Sequence, residues 1–289
     1  METIAVATQN KQVGKTSSTV NLGAALALAG QRVLIVDLDP QAQAGMALGR
    51  HLSGGDQRAR SLGWAIQGRL QGVRPDLSES WFDRSELVAG FGGAGSLHLL
   101  ACEESTMNAV QEVIHRKGYY ATPVLRRMLA EVASDFDFTL IDTPSAVPSL
   151  SATAFAAADG VVTVCVPEYA SLKGAAVTRA AVRHVKDRTG GECDPRYLGA
   201  IVNRSHPPSA REGQAVGFRE ALRDAGLVPF PADIRLDRRI GDSFALGVPA
   251  AIQFAEHPPG RMYGNLLGQV LARMRRCREG QEVPVRTDA

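Results

Sequence analysis

Short, nearly continuous apolar runs rich in β-branched residues recur along this chain, separated by longer stretches whose apolar positions follow a helical period. The runs at 3–7, 32–37, 96–100, 138–142, 160–166 and 197–203 predict strands. Alternation of apolar and polar residues is missing from them, as it is from strands covered on both faces. Helical spacing appears at 16–29, 123–133, 171–188 and 213–225, with Gly30 and Gly226 placed to end two of these helices. Strands alternating with helices in this way imply right-handed crossovers. The predicted architecture is α/β: a mostly parallel, twisted sheet flanked by helices on both faces.

Two segments break the rhythm. Residues 51–95 are rich in Gly, Ser and Arg around a helical stretch at 62–70, and read as an elaboration between the second and third predicted strands. Residues 279–289 are polar and aperiodic, and are expected to form a disordered tail on a single domain spanning 1–278.

Composition narrows the picture by exclusion. The 289 residues are 45% hydrophobic and 21% charged, enough for a substantial core. A net charge of +2 gives no global field, so any nucleic-acid binding must come from a local patch. Cys102, Cys165, Cys193 and Cys277 are widely spaced and form no ligand or disulfide pattern; Cys165 lies in an apolar run and reads as a buried thiol. No basic leader precedes the first strand, and no apolar stretch approaches the roughly 20 residues of a membrane span, so a cytoplasmic protein is expected. Only five of the 32 basic residues are lysines, and two of them, Lys11 and Lys15, stand four apart just after the first strand.

In open α/β sheets ligands bind beyond the carboxyl ends of the strands, so the residues at those ends carry the chemistry. After the first strand the chain reads TQNKQVGKTS and enters a helix. Backbone amides at such a helix start bind phosphate, Lys15 adds a point charge for the β- and γ-phosphates, and the Thr16 hydroxyl is a candidate Mg²⁺ ligand. The GKT core fits GxxxxGK[ST], but Gln9 stands where that pattern has its first glycine. The second strand ends IVDLDPQ and a later one LIDTP, placing Asp37, Asp39 and Asp142 at the same edge as Lys15 and Thr16. Carboxylates at buried strand tips call for a facing cation, as a site holding Mg²⁺ and a water nucleophile provides. The bland alternative is that all three cap the following helices.

With these residues in place, the chain resembles the ParA/MinD family of deviant Walker-A, SIMIBI-type P-loop ATPases over nearly its whole length, and most resembles the ParA/Soj partition ATPases. VDLDPQAQA is similar to that family's VDxDPQ segment, LIDTPSAVPSL to its Walker B strand and switch, and GAIVNR to its adenine-side strand. The run from Pro231 through Arg239, followed by Gly247-Val-Pro, is similar to its IPxNxxLxEA…GxPV region. The resemblance implies an ATPase using ATP and Mg²⁺, with slow, partner-stimulated hydrolysis. It makes Asp39 and Lys15 the catalytic residues. Nucleotide binding falls to Asn10, Lys11, Gln12, Val13, Gly14, Lys15, Thr16, Ser17, Asn203, Pro231 and Asp233, and the metal to Thr16, Asp39 and, through water, Asp142.

One departure stands out. The family's KGGxGK[ST] places a lysine that crosses to the partner subunit's phosphates where this chain has Asn10, and two glycines where it has Lys11 and Gln12. Either Lys11 substitutes from one position along, or it is an ordinary loop lysine and the cross-subunit contact is lost. A lysine at a glycine position also constrains a turn that often needs positive φ.

The resemblance further implies an ATP-dependent homodimer that binds nonspecific DNA and positions or segregates a plasmid, chromosome or other cargo, with a ParB-like or cargo-adaptor partner and a nucleoid-associated location. Arg211, Arg235, Arg238 and Arg239 match the DNA-binding region, with Arg204 and Arg219 nearby, although Asp233, Asp237 and Asp242 interleave with them. Because the chain begins at its first strand, no separate DNA-reading domain is expected ahead of the ATPase. Two alternatives remain: a nucleotide-binding scaffold with little turnover, and a MinD-like protein whose last helix lies on a membrane. For the latter, Leu266, Leu267, Val270, Leu271 and Met274 recur at helical spacing beside Arg273, Arg275, Arg276 and Arg278. That stripe also suits the docked last helix of an α/β domain, and membrane targeting is not expected.

Overall fold

The computed structural model describes residues 1–53, 55–145, 147–205 and 217–281. Strands β1 (Glu2–Ala7), β2 (Arg32–Asp37), β3 (Trp81–Asp83), β4 (Ser96–Leu100), β5 (Phe138–Asp142), β6 (Gly160–Cys165), β7 (Arg196–Ser205) and β8 (Ile234–Arg235) form one sheet in the order β3-β4-β2-β5-β1-β6-β7-β8. Every neighbouring pair is parallel except β3–β4. The six predicted strands are all present, each bounded within a few residues of its expected ends.

The two-faced burial expected from the apolar runs is realised residue by residue. Ile4, Val6, Val33 and Ile35 face a core shared with α1 (Lys15–Leu28), α11 (Ala250–Gln253) and α12 (Pro258–Arg278). Their alternates Ala5, Ala7, Leu34 and Val36 face a second core built with α3 (Leu62–Leu70), α5 (Glu104–Lys117), α6 (Val124–Glu131), α7 (Pro148–Ala157) and α8 (Tyr169–Arg188). Since every position of such a strand is inside, no polar face is left to write an alternating pattern. Helix α1 is itself almost wholly enclosed, which is why it lacks a polar stripe. Gly30 ends it at φ 85°, its N–H donating to Ala27 O.

The 51–95 segment does not form a separate unit. Helix α3 packs on α5, and after it β3 and α4 (Ser85–Ala89) add an antiparallel edge to the sheet. Its arginines are partly structural: Arg60 lies over the Phe82 ring at 4.2 Å, joined on that ring by Arg50, just before the segment, at 4.5 Å. Helices α5 and α7, which the pattern did not predict, complete the second core. The predicted helix at 213–225 is described only over 217–224, as α9, and α2 (Gln43–Ala47) and α10 (Arg238–Leu246) flank the sheet's carboxyl edge.

The last helix corrects the membrane alternative. Leu266, Leu267, Val270 and Met274 are buried against α1 and the sheet, so the stripe is a docking face and not a lipid-facing one. Arg273 belongs to that docking, donating to Leu198 O, Val228 O and Pro229 O at 2.8–2.9 Å and lying 4.0 Å over the Phe230 ring. Burial lowers its pKa to about 10. Removing it costs on the order of 1–3 kcal/mol for each carbonyl left unpaired. Among the described residues no helix is long and apolar enough to cross a membrane. The tail at 282–289 and Arg211 lie outside the described residues. Cys102, Cys165 and Cys193 are buried free thiols, and burial holds the Cys165 thiol up at about 12.

Candidate nucleotide site

The strand order sets β1 between β5 and β6, with β2 on the far side of β5, so three strand tips end side by side. In register, Val6 pairs with Asp142 and Asp37 pairs with the same Asp142. The loop leaving β1 therefore runs directly over both aspartates before becoming α1.

That loop is built around the Gly14 backbone. Gly14 takes φ 90° as the residue before α1, and a Cβ there would meet the Asn203 side-chain nitrogen at 2.2 Å. No side chain caps α1 and no acidic residue lies in its first turn, leaving the amides of Lys15, Thr16 and Ser17 to a ligand. The first intrahelical bond runs from Ser18 N to Gly14 O at 2.9 Å. Uncapped amides, a left-handed glycine and an adjacent lysine together fit a phosphate chain.

Lys15 is 6% exposed, and burial lowers its pKa while Asp142 and Asp39 pull it back up. Its Nζ donates to Asn10 O at 3.1 Å and to Ser145 Oγ at 2.5 Å. Thr16 Oγ1 donates to Asp142 Oδ2 at 2.6 Å, and Thr19 Oγ1 donates to Asp142 Oδ1 at 3.2 Å. Burial pushes the Asp142 carboxyl up to about 7, opposed by the bond from Thr16. The Thr16 hydroxyl and the carboxylate behind it are the hard oxygen donors that Mg²⁺ takes, directly and through water.

Asp37 and Asp39 part company. Asp37 is fully buried and accepts from Asp39 N at 3.2 Å and Gly45 N at 3.1 Å, so it braces the loop after β2. Burial, reinforced by Asp142, holds its carboxyl well above the ordinary range. Asp39 accepts from Gln41 N at 3.0 Å, and its carboxyl is also raised by burial, with Gln41, Lys15 and Lys11 opposing. Asp39 lines the cleft; Asp37 does not. Helix capping accounts for neither Asp39 nor Asp142: the residues before α2 and α7 are Ala42 and Val147.

The cleft measures about 630 Å³ and is lined by Lys11, Gln12, Gly14, Lys15, Thr16, Ser17 and Asp39, together with Ser145 and Arg204. Strain collects around it. The non-glycine residues with positive φ, among those described, are Gln12 (59°), Ala42 (52°) and Arg204 (52°), two on the lining and one in the loop beside Gln41 and Gln43. The strained replacement in the loop is thus Gln12 and not Lys11. Lys11 is exposed on the rim, whereas the Asn10 side chain is turned inward against α8, where a Cβ on Gly174 would meet its Oδ1.

Asn203 comes to the phosphate loop: its Nδ2 donates to Val13 O at 2.7 Å and its Oδ1 accepts from Arg204 N at 2.9 Å. Pro231 and Asp233 are not on the cleft lining. Arg219 ties them down, pairing with Asp233 and donating to Phe230 O at 2.5 Å and Pro231 O at 3.3 Å. Arg239 is held by Asp237 through three hydrogen bonds and lies 5.6 Å over the Phe254 ring. Arg235 and Arg238 have no ion-pair partner among the described residues. Sequence reasoning missed Ser145 and Arg204 as cleft residues, although each stands within three residues of a strand-end motif residue, Asp142 or Asn203.

A left-handed glycine before an uncapped helix, a buried lysine and a threonine hydroxyl on a strand-tip aspartate define a P-loop nucleotide-binding protein. Residues 1–193 match the family described as AAA domain. Over 273 residues the chain is 31% identical to the chromosome-partitioning ATPase Soj of Thermus thermophilus, covering 94% of this chain and 96% of that protein. It is 28% identical to Soj of Treponema pallidum over 94% of this chain and 98% of that one. Among solved structures, apo McdA of Cyanothece superposes with a TM-score of 0.77 at 20% identity, covering 94% and 99% of the two chains. Cobyrinic acid a,c-diamide synthase of Mycobacterium smegmatis with ADP and magnesium superposes at 0.69 and 22% identity, over the full length of both chains. The chain belongs to the ParA/MinD family of SIMIBI-type P-loop ATPases.

Proposed function

We propose that this chain is a nucleotide-switched positioning ATPase: it dimerises on Mg·ATP, binds nonspecific DNA as the dimer, and is released when a ParB-like or cargo-bound partner stimulates hydrolysis. One observation carries the reading most. Lys15, Thr16 with Asp142 bonded behind it, and Asp39 meet at one cleft of a chain similar to a partition ATPase over 94% of its length.

In this reading the amides of Lys15 to Ser17 and the Lys15 ammonium hold the phosphates, and Thr16 with Asp142 holds the metal. Mg²⁺, when bound, offsets the charge of the phosphates. Asp39, raised by burial yet held in place by Gln41 N, orients the attacking water and accepts its proton. Asn203 and the Pro231–Asp233 segment flank the base. Lys11 supplies the loop's outward cation toward the partner subunit; its position on the rim, with Asn10 turned inward, supports that assignment. DNA phosphates are neutralised by Arg235 and Arg238 together with Arg211 and Arg239, and the dimer works on the nucleoid.

The test is binding to nonspecific duplex DNA with ATP, ADP or no nucleotide at two salt concentrations, alongside ATP turnover of the parent and Asp39→Ala. Salt-sensitive binding that requires ATP, and turnover lost by at least about 100-fold in Asp39→Ala, are the expected results. The strained Gln12 and missing loop glycines favour one second reading, a nucleotide-binding scaffold. DNA or protein binding indifferent to nucleotide, with no turnover above the Asp39→Ala level, would establish it instead.

A further inference from the structure

Two stretches of this nearly neutral chain hold basic residues and no acidic ones. Residues 57–75 carry Arg58, Arg60, Arg69 and Arg74, and residues 113–130 carry Arg116, Lys117, Arg126 and Arg127, with no Asp or Glu in either stretch. The fold brings parts of the two together. The ends of α3 and α5 and the helix α6 enclose a cleft of about 600 Å³ lined by Arg69, Arg74, Lys117, Tyr120 and Arg127. Glu131 is the one carboxylate among its described lining residues.

Part of this charge is answered. Glu131 closes on Arg69, and Glu192 on Arg127 at 2.9 Å. Arg74 and Lys117 have no ion-pair partner among the described residues. The Lys117 ammonium donates to Leu70 O at 2.8 Å and keeps two further N–H donors. Cations in the last turn of a helix complement its dipole, which accounts for Arg69 on α3 and Lys117 on α5. It does not account for Arg74, which lies beyond the end of α3, nor for Tyr120. That tyrosine is 94% exposed, so its ring gains nothing inside the fold. Its neighbour Tyr119 carries Arg188 over its ring at 4.9 Å. Cations and aromatic rings thus alternate from α3, across the turn Gly118–Tyr120, to α8.

Each feature selects among polyanions. Unpaired cations call for phosphates or carboxylates. A concave lining admits a strand but not a flat bilayer. An uncovered ring takes the face of an unpaired base, which a duplex keeps stacked within itself and a run of Asp and Glu lacks. We infer that this cleft binds single-stranded nucleic acid, with backbone phosphates on Arg74 and Lys117 and a base stacked on Tyr120. The site is separate from the DNA surface proposed above. Helices α3, α5 and α6 pack on the second core, whereas Arg235 and Arg238 belong to the edge strand β8 and to α10. It shares no lining residue with the nucleotide cleft, so binding there needs no ATP.

The test is fluorescence anisotropy of a labelled oligothymidylate of about 15 nucleotides with the full, nucleotide-free chain at two salt concentrations. Replacing Arg74 and Lys117 together by alanine is expected to weaken binding about 10-fold and to flatten its salt dependence by about 1.4 counterions. Arg74→Ala alone, which leaves the Lys117–Leu70 bond in place, is expected to weaken it about 3-fold. Tyr120→Ala is expected to weaken the single strand about 5-fold. Tyr120→Phe, which keeps the ring, and the Arg235→Ala, Arg238→Ala double variant are expected to stay within about 2-fold of the parent. Arg74 and Tyr120 are exposed, so their losses report binding and not folding. A parent that does not bind, or an affinity unmoved by the Arg74, Lys117 and Tyr120 variants, would overturn the inference. Equal binding of duplex DNA with Tyr120→Ala silent would overturn the single-strand assignment and leave a plain phosphate patch. Phosphatidylglycerol vesicles that bind through the same residues and displace the oligonucleotide would overturn it in favour of a membrane surface.

Discussion

Two cationic regions of this molecule differ in how their charges are used. Lys15 is one cation in a buried setting, with its partners drawn from three different strand ends: Asn10 after β1, Ser145 after β5, and the fields of Asp142 and Asp39 from β5 and β2. The C-terminal third carries many more cations, yet several are spent close to home. Arg219 closes on Asp233, Arg239 on Asp237 two residues away, and Arg273 on three backbone carbonyls. A lone buried charge draws the chain around itself because leaving it unpaired is costly. Surface arginines take whichever carboxylate is nearest, and such pairs contribute little to stability. Abundance of charge therefore says less about a site than convergence of unlike elements does.

The sharpest way to break this comparison is at Asp142. Its carboxyl stands at about 7, above its ordinary value, so between roughly pH 4 and 7 the folded chain holds a proton that the unfolded chain releases. The stability linked to that proton is present at low pH and is lost as pH rises through about 7. In EDTA without nucleotide, chemical denaturation is expected to show stability falling from about pH 4 to about pH 7, with a shallower fall in Asp142→Asn. The same variant is expected to lose ATP turnover by at least about 100-fold. A pH profile unchanged by the substitution would mean that the strand tips are no more sensitive than the surface.

The arginines give the intermediate effect. Replacing Arg235 and Arg238 together is expected to weaken nonspecific DNA binding about 10-fold and to flatten the salt dependence by about two counterions. Arg239→Ala, whose charge Asp237 already offsets, is expected to change affinity less than about 2-fold. A larger loss from Arg239 than from the other two would reverse the ranking. The smallest effect belongs to the phosphate loop itself. Gln12→Gly relieves a left-handed backbone at φ 59° and is expected to raise stability by about 1 kcal/mol in urea denaturation. No gain would show that the Gln12 side chain repays its strain through contacts of its own.

Legibility followed the same line. The buried strands were readable because enclosure on both faces admits only apolar residues, and the phosphate loop because a glycine, a lysine and a threonine before a helix have few other uses. Helices α5 and α7 were not foreseen: α7 is so enclosed that it carries no amphipathic stripe, and α5 lies between β4 and the helix expected at 123–133, where no element was assigned. The stripe on α12 had two readings from its spacing, and only its burial against α1 chose between them. Similarly, Asn203 was legible as a site residue, but its bond to Val13 O required β7 to be brought beside the loop from 190 residues away.

The order of apolar and polar residues thus determined the layered α/β sheet, and the strand-end motifs determined the class of ligand, because both depend on local composition and on contacts close in the chain. Tertiary structure alone decided which aspartate braces and which faces the cleft, which arginines lack an ion-pair partner among the described residues, and that Ser145 meets Lys15. Those outcomes depend on which strand ends lie side by side and how deeply each group is withdrawn from water, and strand order is not written in any one segment.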